Sequence, residues 1–385
     1  MQRIHSTTMT APAISPAARF TGLAAVALVL AAWPFRAGAQ TTVLSTPVGV
    51  ITEDLSPGLS GKAFPLHTGD IFVGVAEANT GHTVTFPGPD LPAGTLVAGR
   101  RYFLEVTTGP LEGERLDLDT EATLATSGPQ AILDFGTDTH STLGAVPADA
   151  LIGARCVVRA HVTLGDLPAM FTPALAGDRR VHRSDAVSLL DGDKLETYSL
   201  AADGASWHDE SGRHLGVWAL RHRAWSRRHG AAPAPTDYRD MVIPPDTSVV
   251  LHLRSGAKRW MHEGLVRTNA FRKNLARGVQ AFASGFPMDL SPAQIGAYAD
   301  PSEPAGNRWY GNNLFLVADQ IDVLFSSRLP LDVYFLRGDG KTWQALLRSP
   351  REDFSQRPIL GQTDAIVIRR RNPDNAFVIP RPFDL

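Results

Sequence analysis

From Phe64 onward apolar and polar residues alternate in short runs, broken by Gly, Pro and Asn. Asp70 to Ala76 reads as a strand, Asn79-Thr80-Gly81 as a hairpin connection into His82 to Phe86, and Tyr102 to Thr107 as a further strand. Cys156, Val158, Ala160, Val162 and Leu164 alternate with Arg155, Val157, Arg159, His161 and Thr163. That period of two predicts a half-buried strand with the thiol on its apolar face. Val146 to Ala154, with Pro147 at its opening, predicts a short helix before it. The clearest helical spacing lies at Phe271, Leu275, Val279 and Phe282, with Thr268 or Asn269 to cap the start and Gly285 to end it. Arg272, Lys273 and Arg277 fall on its other faces, and Ser291-Pro292 is expected to open a shorter helix toward Tyr298.

The expected fold is therefore mainly β: a small N-terminal β-domain followed by two related β-units, sandwich or barrel-like, with one or two short helices. Laying the chain on itself pairs Asp193-Lys194-Leu195-Glu196 with Asp319-Gln320-Ile321-Asp322, Trp225 with Trp343, and Ser248 to Leu253 with Asp364 to Ile368. Two such units would pack face to face or side by side. The expected divisions are a leader over 1–39, the β-domain over 40–178, a first unit with its helix over 179–290, and a second unit over 291–385.

The leader is one continuous apolar run. Arg19 precedes Phe20 to Phe35, Pro34 and Arg36 close the run, and Ala37-Gly38-Ala39 stands before Gln40. That order of charged, apolar and small residues predicts a cleaved secretory signal peptide, with Met1 or Met9 as its start. The run is shorter than the roughly 20 residues that a spanning helix needs. No transmembrane segment is expected after cleavage. Removing Arg3, Arg19 and Arg36 with the leader lowers the 37 basic residues to 34 against 39 acidic ones, a net charge of −5. This balance disfavours nucleic acid as a partner. Cys156 is the only cysteine, so no intramolecular disulfide can form.

Catalytic signatures are missing: no Gly-x-Ser-x-Gly, no phosphate-binding Gly-x4-Gly-Lys-Ser/Thr, no Gly-x-Gly-x-x-Gly, and no second His placed to complete a zinc site with His262-Glu263. No metal or cofactor is expected. Asp117-Leu118-Asp119-Thr120-Glu121 alternates acids with apolar residues and predicts an edge strand rather than a calcium loop. Arg221, His222, Arg223, Arg227, Arg228 and His229 form one basic run, interleaved with Trp218 and Trp225 and read as a solvated strand face. The densest polar group is Trp207-His208-Asp209-Glu210 with His214, either a hairpin tip or a ligand site. Trp309-Tyr310, set among Asn307, Asn312 and Asn313, can stack on sugar rings or pack over the end of a sheet. These seven residues, Trp207, His208, Asp209, Glu210, His214, Trp309 and Tyr310, are the candidate binding set.

The segment Ala160-His161-Val162-Thr163-Leu164-Gly165-Asp166-Leu167, the turn Asp191-Gly192-Asp193-Lys194-Leu195, the strand ending near Arg254 and the closing Phe377-Val378-Ile379-Pro380-Arg381 resemble an uncharacterised family of exported verrucomicrobial β-rich proteins. The resemblance runs from about Pro65 to the C-terminus. It departs over 207–229, which is rich in Arg and His, and in lacking Asn-rich repetitive stretches. It implies export and β-structure and transfers no catalytic residue. The reading that results is an exported, non-catalytic structural or binding protein, periplasmic, on the outer surface or extracellular, with a polysaccharide or another envelope protein as partner. The alternatives are a secreted hydrolase working through paired carboxylates and a peripheral membrane protein held by the basic helix.

Overall fold

The computed structural model describes residues 47–87, 95–126, 129–135, 141, 143–191, 194–210, 236–245, 247–302, 308–324, 331–349, 351–372 and 374–383. The expected leader, His214 and the basic run with Trp218 and Trp225 lie outside them. Residues Thr46–Leu385 cluster as one compact unit, built mainly from antiparallel sheets, with no sheet closed into a barrel among the described residues.

Two five-stranded sheets carry the body. The first runs Trp207–Asp209, Lys194–Leu200, Ala186–Asp191, Ser248–Leu253, Gly58–Ala63. The second runs Trp343–Ala345, Leu331–Leu336, Gln320–Leu324, Ala365–Arg370, Gly278–Phe282. Both take up their strands in the same chain order, and every neighbouring pair is antiparallel. The local chemistry at corresponding places is also the same. A fully buried aspartate precedes the central strand of each. Asp185 accepts from the backbone N–H of Ala176 (2.8 Å) and Arg254 (2.8 Å), and Asp319 from that of Tyr310 (2.7 Å) and Arg371 (2.6 Å). Each carboxylate thus ties the incoming segment to the end of the fourth strand, satisfying donors that a strand terminus leaves open. The turn into each edge strand is Asp-Gly-x-Ser/Thr-Trp. Asp203 accepts from Ser206 N (2.8 Å) and Oγ (2.6 Å), and Asp339 from Thr342 N (2.9 Å) and Oγ1 (2.6 Å). Both tryptophans, Trp207 and Trp343, are buried.

Period-two alternation gives each sheet two buried faces. Val187, Leu189, Val249 and Leu251 of the first sheet pack into a cluster with Leu164, Phe171 and Trp260. Ile321, Val323, Ile366 and Ile368 of the second pack with Phe271, Phe286 and Trp309. The opposite faces meet one another. Ser248 Oγ donates to Ile366 O (3.1 Å) and accepts from Ile366 N (3.2 Å), and Ala63 N donates to Thr363 O (3.0 Å). The result is a face-to-face sandwich of the two sheets.

A third cluster lies under a four-stranded sheet, Asp70–Val75, Arg155–Ala160, Tyr102–Val106, Arg115–Asp117, and a three-stranded one, Ala78–Asn79, Thr83–Thr85, Gln130–Ile132. The strands Val48–Leu55 and Gly58–Ala63, which the sequence places in the N-terminal β-domain, pair instead with Lys258–Leu265 and Ser248–Leu253.

Four local expectations are corrected. Residues 271–282 form two strands, Phe271–Leu275 and Gly278–Phe282, not an amphipathic helix. Phe271, Lys273 and Leu275 bury on alternation, Gly278 takes φ 112°, which no helix interior accepts, and both strands find partners in Asp374–Ile379 and Ala365–Arg370. The peripheral membrane reading loses its anchor with that helix. Ser291 to Tyr298 is a single turn, in which Gln294 and Ser291 cap each other at 2.8 and 3.2 Å. Val146 to Ala154 is a run of turns closed by i to i+3 bonds such as Ala154 N to Leu151 O (2.8 Å), with Asp149 at φ 62°. Asp117–Glu121 is not one strand: the strand ends at Asp117, and Asp119 accepts from Ala122 N (2.9 Å) to cap the helix Thr120–Ala125.

Cys156 lies fully buried on the apolar face of its strand, and burial pushes its thiol up to about 12. It should therefore resist alkylation in the native protein and label only on unfolding, and mass spectrometry after iodoacetamide treatment with and without denaturant reads the difference. The expected solvent face of that strand is covered as well: Val157, Arg159 and His161 are buried, and Arg155 alone is exposed.

Candidate functional site: a pocket between the sheets

The candidate binding residues do not converge. Trp207 is fully buried in the first sheet's core, and its backbone N–H donates to Asp237 Oδ1 (3.0 Å). His208 points to the other side of this three-residue strand, its Nδ1 3.0 Å from Thr236 O, while Asp209 sits half-buried on the side of Trp207. Glu210 accepts from Arg254 Nη1 (3.1 Å), an ion pair that fastens the strand's end. His214 lies outside the described residues. Trp309 is buried against Trp343 and Phe377, ring centroids 5.5 and 5.8 Å away, with the Arg370 guanidinium 4.2 Å over its ring. Of the Trp309-Tyr310 pair only Tyr310 is exposed. The two tryptophans of the candidate set are thus core rings, held inside by the apolar area that they bury.

What the sandwich does make is a cavity of about 320 Å³ between its facing sheets. Corresponding positions of the two sheets line it in pairs. Leu190 answers Leu324, Val250 answers Val367, and Leu59 answers Val279. The polar pairs are where the sheets differ. Ser188, third in its strand and paired with Val250, answers Asp322, third in its strand and paired with Val367. His252, opposite Ala186, answers Arg369, opposite Gln320.

Ser188 Oγ lies 2.7 Å from Thr197 Oγ1 and 2.8 Å from His252 Nε2. Burial and the nearby Arg254 hold the His252 imidazole down at about 4, so it is neutral at neutral pH. Asp322 is 3 % exposed, and its Oδ2 accepts from Arg369 Nε at 2.8 Å. Its Oδ1 is buried without a hydrogen-bond partner. Burial raises this carboxyl above its ordinary value against the opposing pull of Arg369. Arg369 itself is 46 % exposed at the side chain, and with Leu59 and Leu195 it stands at the mouth.

A second buried polar group joins the N-terminal sheet to the body. Glu105, fully buried, is ion-paired with Arg159 and Arg267 and accepts from Asn269 Nδ2 (3.2 Å). Arg159 also reaches Asp70 (3.0 Å), and His161 lies 2.9 Å from Asp117. The guanidiniums of Arg115 and Arg267 lie 4.8 and 4.9 Å from the ring centroid of Phe271. Its members hold two layers together, and the cavity beside His161 is only about 10 Å³.

His262 is buried between Leu66 and Trp260, stacked on the indole at 5.8 Å, and burial holds its imidazole at about 4 instead of 6.5. An unfolded histidine takes its proton at 6.5, the folded one only near 4. The stability that this difference supplies is complete above 6.5 and is lost as pH falls from 6.5 toward 4. The urea midpoint should drop across that window, and less so in His262→Gln.

Among the described residues no three His, Cys, Asp or Glu side chains converge to hold a metal ion. No family model, curated protein or solved structure matches the chain. The sequence pairing had not matched Ser188 with Asp322 because it set 193–196 against 319–322, whereas Lys194–Leu200 and Gln320–Leu324 occupy different places in the two sheets. The signal that places them was the pentad Asp203-Gly204-Ala205-Ser206-Trp207 against Asp339-Gly340-Lys341-Thr342-Trp343.

Proposed function

We propose that this chain is an exported, non-catalytic binding protein of the cell envelope or extracellular space, of the kind seen in the verrucomicrobial β-rich proteins it resembles, and that it is built from two copies of one β-unit. The observation that carries the non-catalytic reading is the lining of the inter-sheet pocket. A paired-carboxylate hydrolase needs two acids flanking the scissile bond, roughly 5 to 9.5 Å apart. The pocket offers one, Asp322, already ion-paired with Arg369. The groove beside Val48–Leu55 is lined by five acids: Glu53 pairs with Lys62 (2.8 Å), Asp54 pairs with Arg259 (2.8 Å), Asp289 accepts from Gln362 N (2.9 Å), and Asp332 and Asp364 also line it. Export rests on the leader, whose order of residues is that of a signal peptide. Among the described residues no helix is long and apolar enough to cross a membrane.

The test has two parts. Produced from its full reading frame in a bacterial host, the protein should leave the cytoplasm with Gln40 as its first residue. It should also release no product from chromogenic glycosides or esters. Retention in the cytoplasm with the leader intact overturns export, and turnover that disappears in Asp322→Asn overturns the non-catalytic reading.

A further inference from the structure

We propose that the cavity between the two five-stranded sheets binds a small neutral molecule with an apolar body and a single hydroxyl group, whose O–H donates to Asp322 Oδ1. This deepens the binding reading above and rests on it in treating the pocket as a ligand site. Three observations converge on that chemistry. The walls are aliphatic, formed by Leu190, Val250, Val279, Ala281, Leu324 and Val367. Leu59 and Leu195, 51 % and 57 % exposed, extend the apolar surface out through the mouth. Asp322, which lines the cavity, carries one acceptor left over, its buried Oδ1, on a side chain that is 3 % exposed. A buried acceptor with no donor is costly, and a ligand that supplies the donor recovers that cost.

Charge selects between ligand types. Asp322 and Arg369 already neutralise one another at 2.8 Å. A carboxylate ligand drawn to Arg369 would lie against the Asp322 carboxylate, and an ammonium ligand drawn to Asp322 would lie against the guanidinium. A neutral hydroxyl meets neither repulsion. Water is a poor substitute, since a buried water needs two to four polar partners and apolar cavities stay dry. Size follows from the volume: at roughly 30 Å³ per water-sized group, 320 Å³ admits about ten non-hydrogen atoms. The Ser188 and His252 pair on the facing wall is satisfied internally, which leaves Asp322 as the position that reads the ligand.

Isothermal titration of the full chain tests this with four probes of one length: 1-octanol, heptyl methyl ether, octanoate and octylamine. The expected result is saturable, one-to-one binding of octanol, roughly tenfold tighter than the other three. Val279→Trp, which plugs the cavity at a half-buried position, should abolish octanol binding with its thermal midpoint kept. Asp322→Val should bring octanol down to the affinity of the ether. No saturable octanol binding, equal affinity for all four probes, or octanol binding that survives Val279→Trp would each overturn the proposal. The comparison among probes is made on the unaltered chain, so it stands whatever the variants do. Ester or glycoside turnover alongside selective octanol binding would remove the non-catalytic reading alone, whereas an inert chain that ignores octanol would remove only this inference.

Discussion

Replacing Glu105 by alanine should cost about 3–5 kcal/mol of folding free energy, the range for removing one partner of a buried ion pair. The carboxylate is fully buried and is the shared acceptor for Arg267, Arg159 and Asn269. Arg159 would keep Asp70, but Arg267, itself fully buried, would lose the carboxylate that balances its charge. Its contact with the Phe271 ring is worth far less than a charge pair. Glu105→Gln should lose less, because the amide oxygen still accepts from Asn269 while the neutralising charge is gone. Because the group ties the N-terminal sheet to residues 267–273, the damage should appear there first, as faster hydrogen exchange in Tyr102–Val106 and Phe271–Leu275. Equilibrium urea denaturation measures the total. A loss below about 1 kcal/mol would mean that the network is solvated and does not hold the layers together.

Much of the architecture was legible in the chain because alternation is a local signal. The strand through Cys156 could be read from its period of two, and its thiol is where that period puts it. The predominance of β-structure could be read from the short apolar runs between turn residues. What local reading could not supply was the second layer. Val157, Arg159 and His161 look like a solvent face until neighbouring strands set Glu105, Asp70 and Asp117 beside them and Arg267 and Asn269 come from outside the sheet onto Glu105. The segment 271–282 shows why spacing alone misleads. Phe271, Leu275, Val279 and Phe282 satisfy a helical period, but Phe271, Lys273 and Leu275 satisfy a strand's equally well. The strands Asp374–Ile379 and Ala365–Arg370 decide between them from about a hundred residues away.

The candidate site was harder to read for a different reason. Trp207 and Trp309 stood out as large aromatics among polar neighbours, and burying a tryptophan removes so much apolar area from water that polar neighbours do not keep it outside. The pocket residues announced nothing. Ser188, His252, Asp322 and Arg369 are ordinary strand residues whose meaning comes from lying at matching places on two facing sheets.

That facing arrangement predicts the second large effect, at Gly61. A Cβ at this position would stand 2.4 Å from Ala365 Cβ and 2.7 Å from Leu324 O, both on the opposite sheet. Contacts below about 3 Å to backbone cannot be relieved by a side-chain rotation, so the sheets must separate or the strand must bend. Gly61→Val should therefore destabilise the protein by about 3 kcal/mol, the upper end for overpacking a filled interior. On a free strand face the same change would be favourable, because valine suits a strand and glycine weakens it. Ala365→Gly removes one of the two obstructing groups and should return part of the loss, while the Leu324 carbonyl keeps it from returning all.

The double-mutant cycle over Gly61→Val and Ala365→Gly, read by urea denaturation, thus bears directly on whether the two sheets lie face to face. The sandwich predicts a large loss for Gly61→Val and a favourable coupling of about 1 kcal/mol when both changes are present. Neutral or stabilising Gly61→Val, with the two changes simply additive, would contradict it.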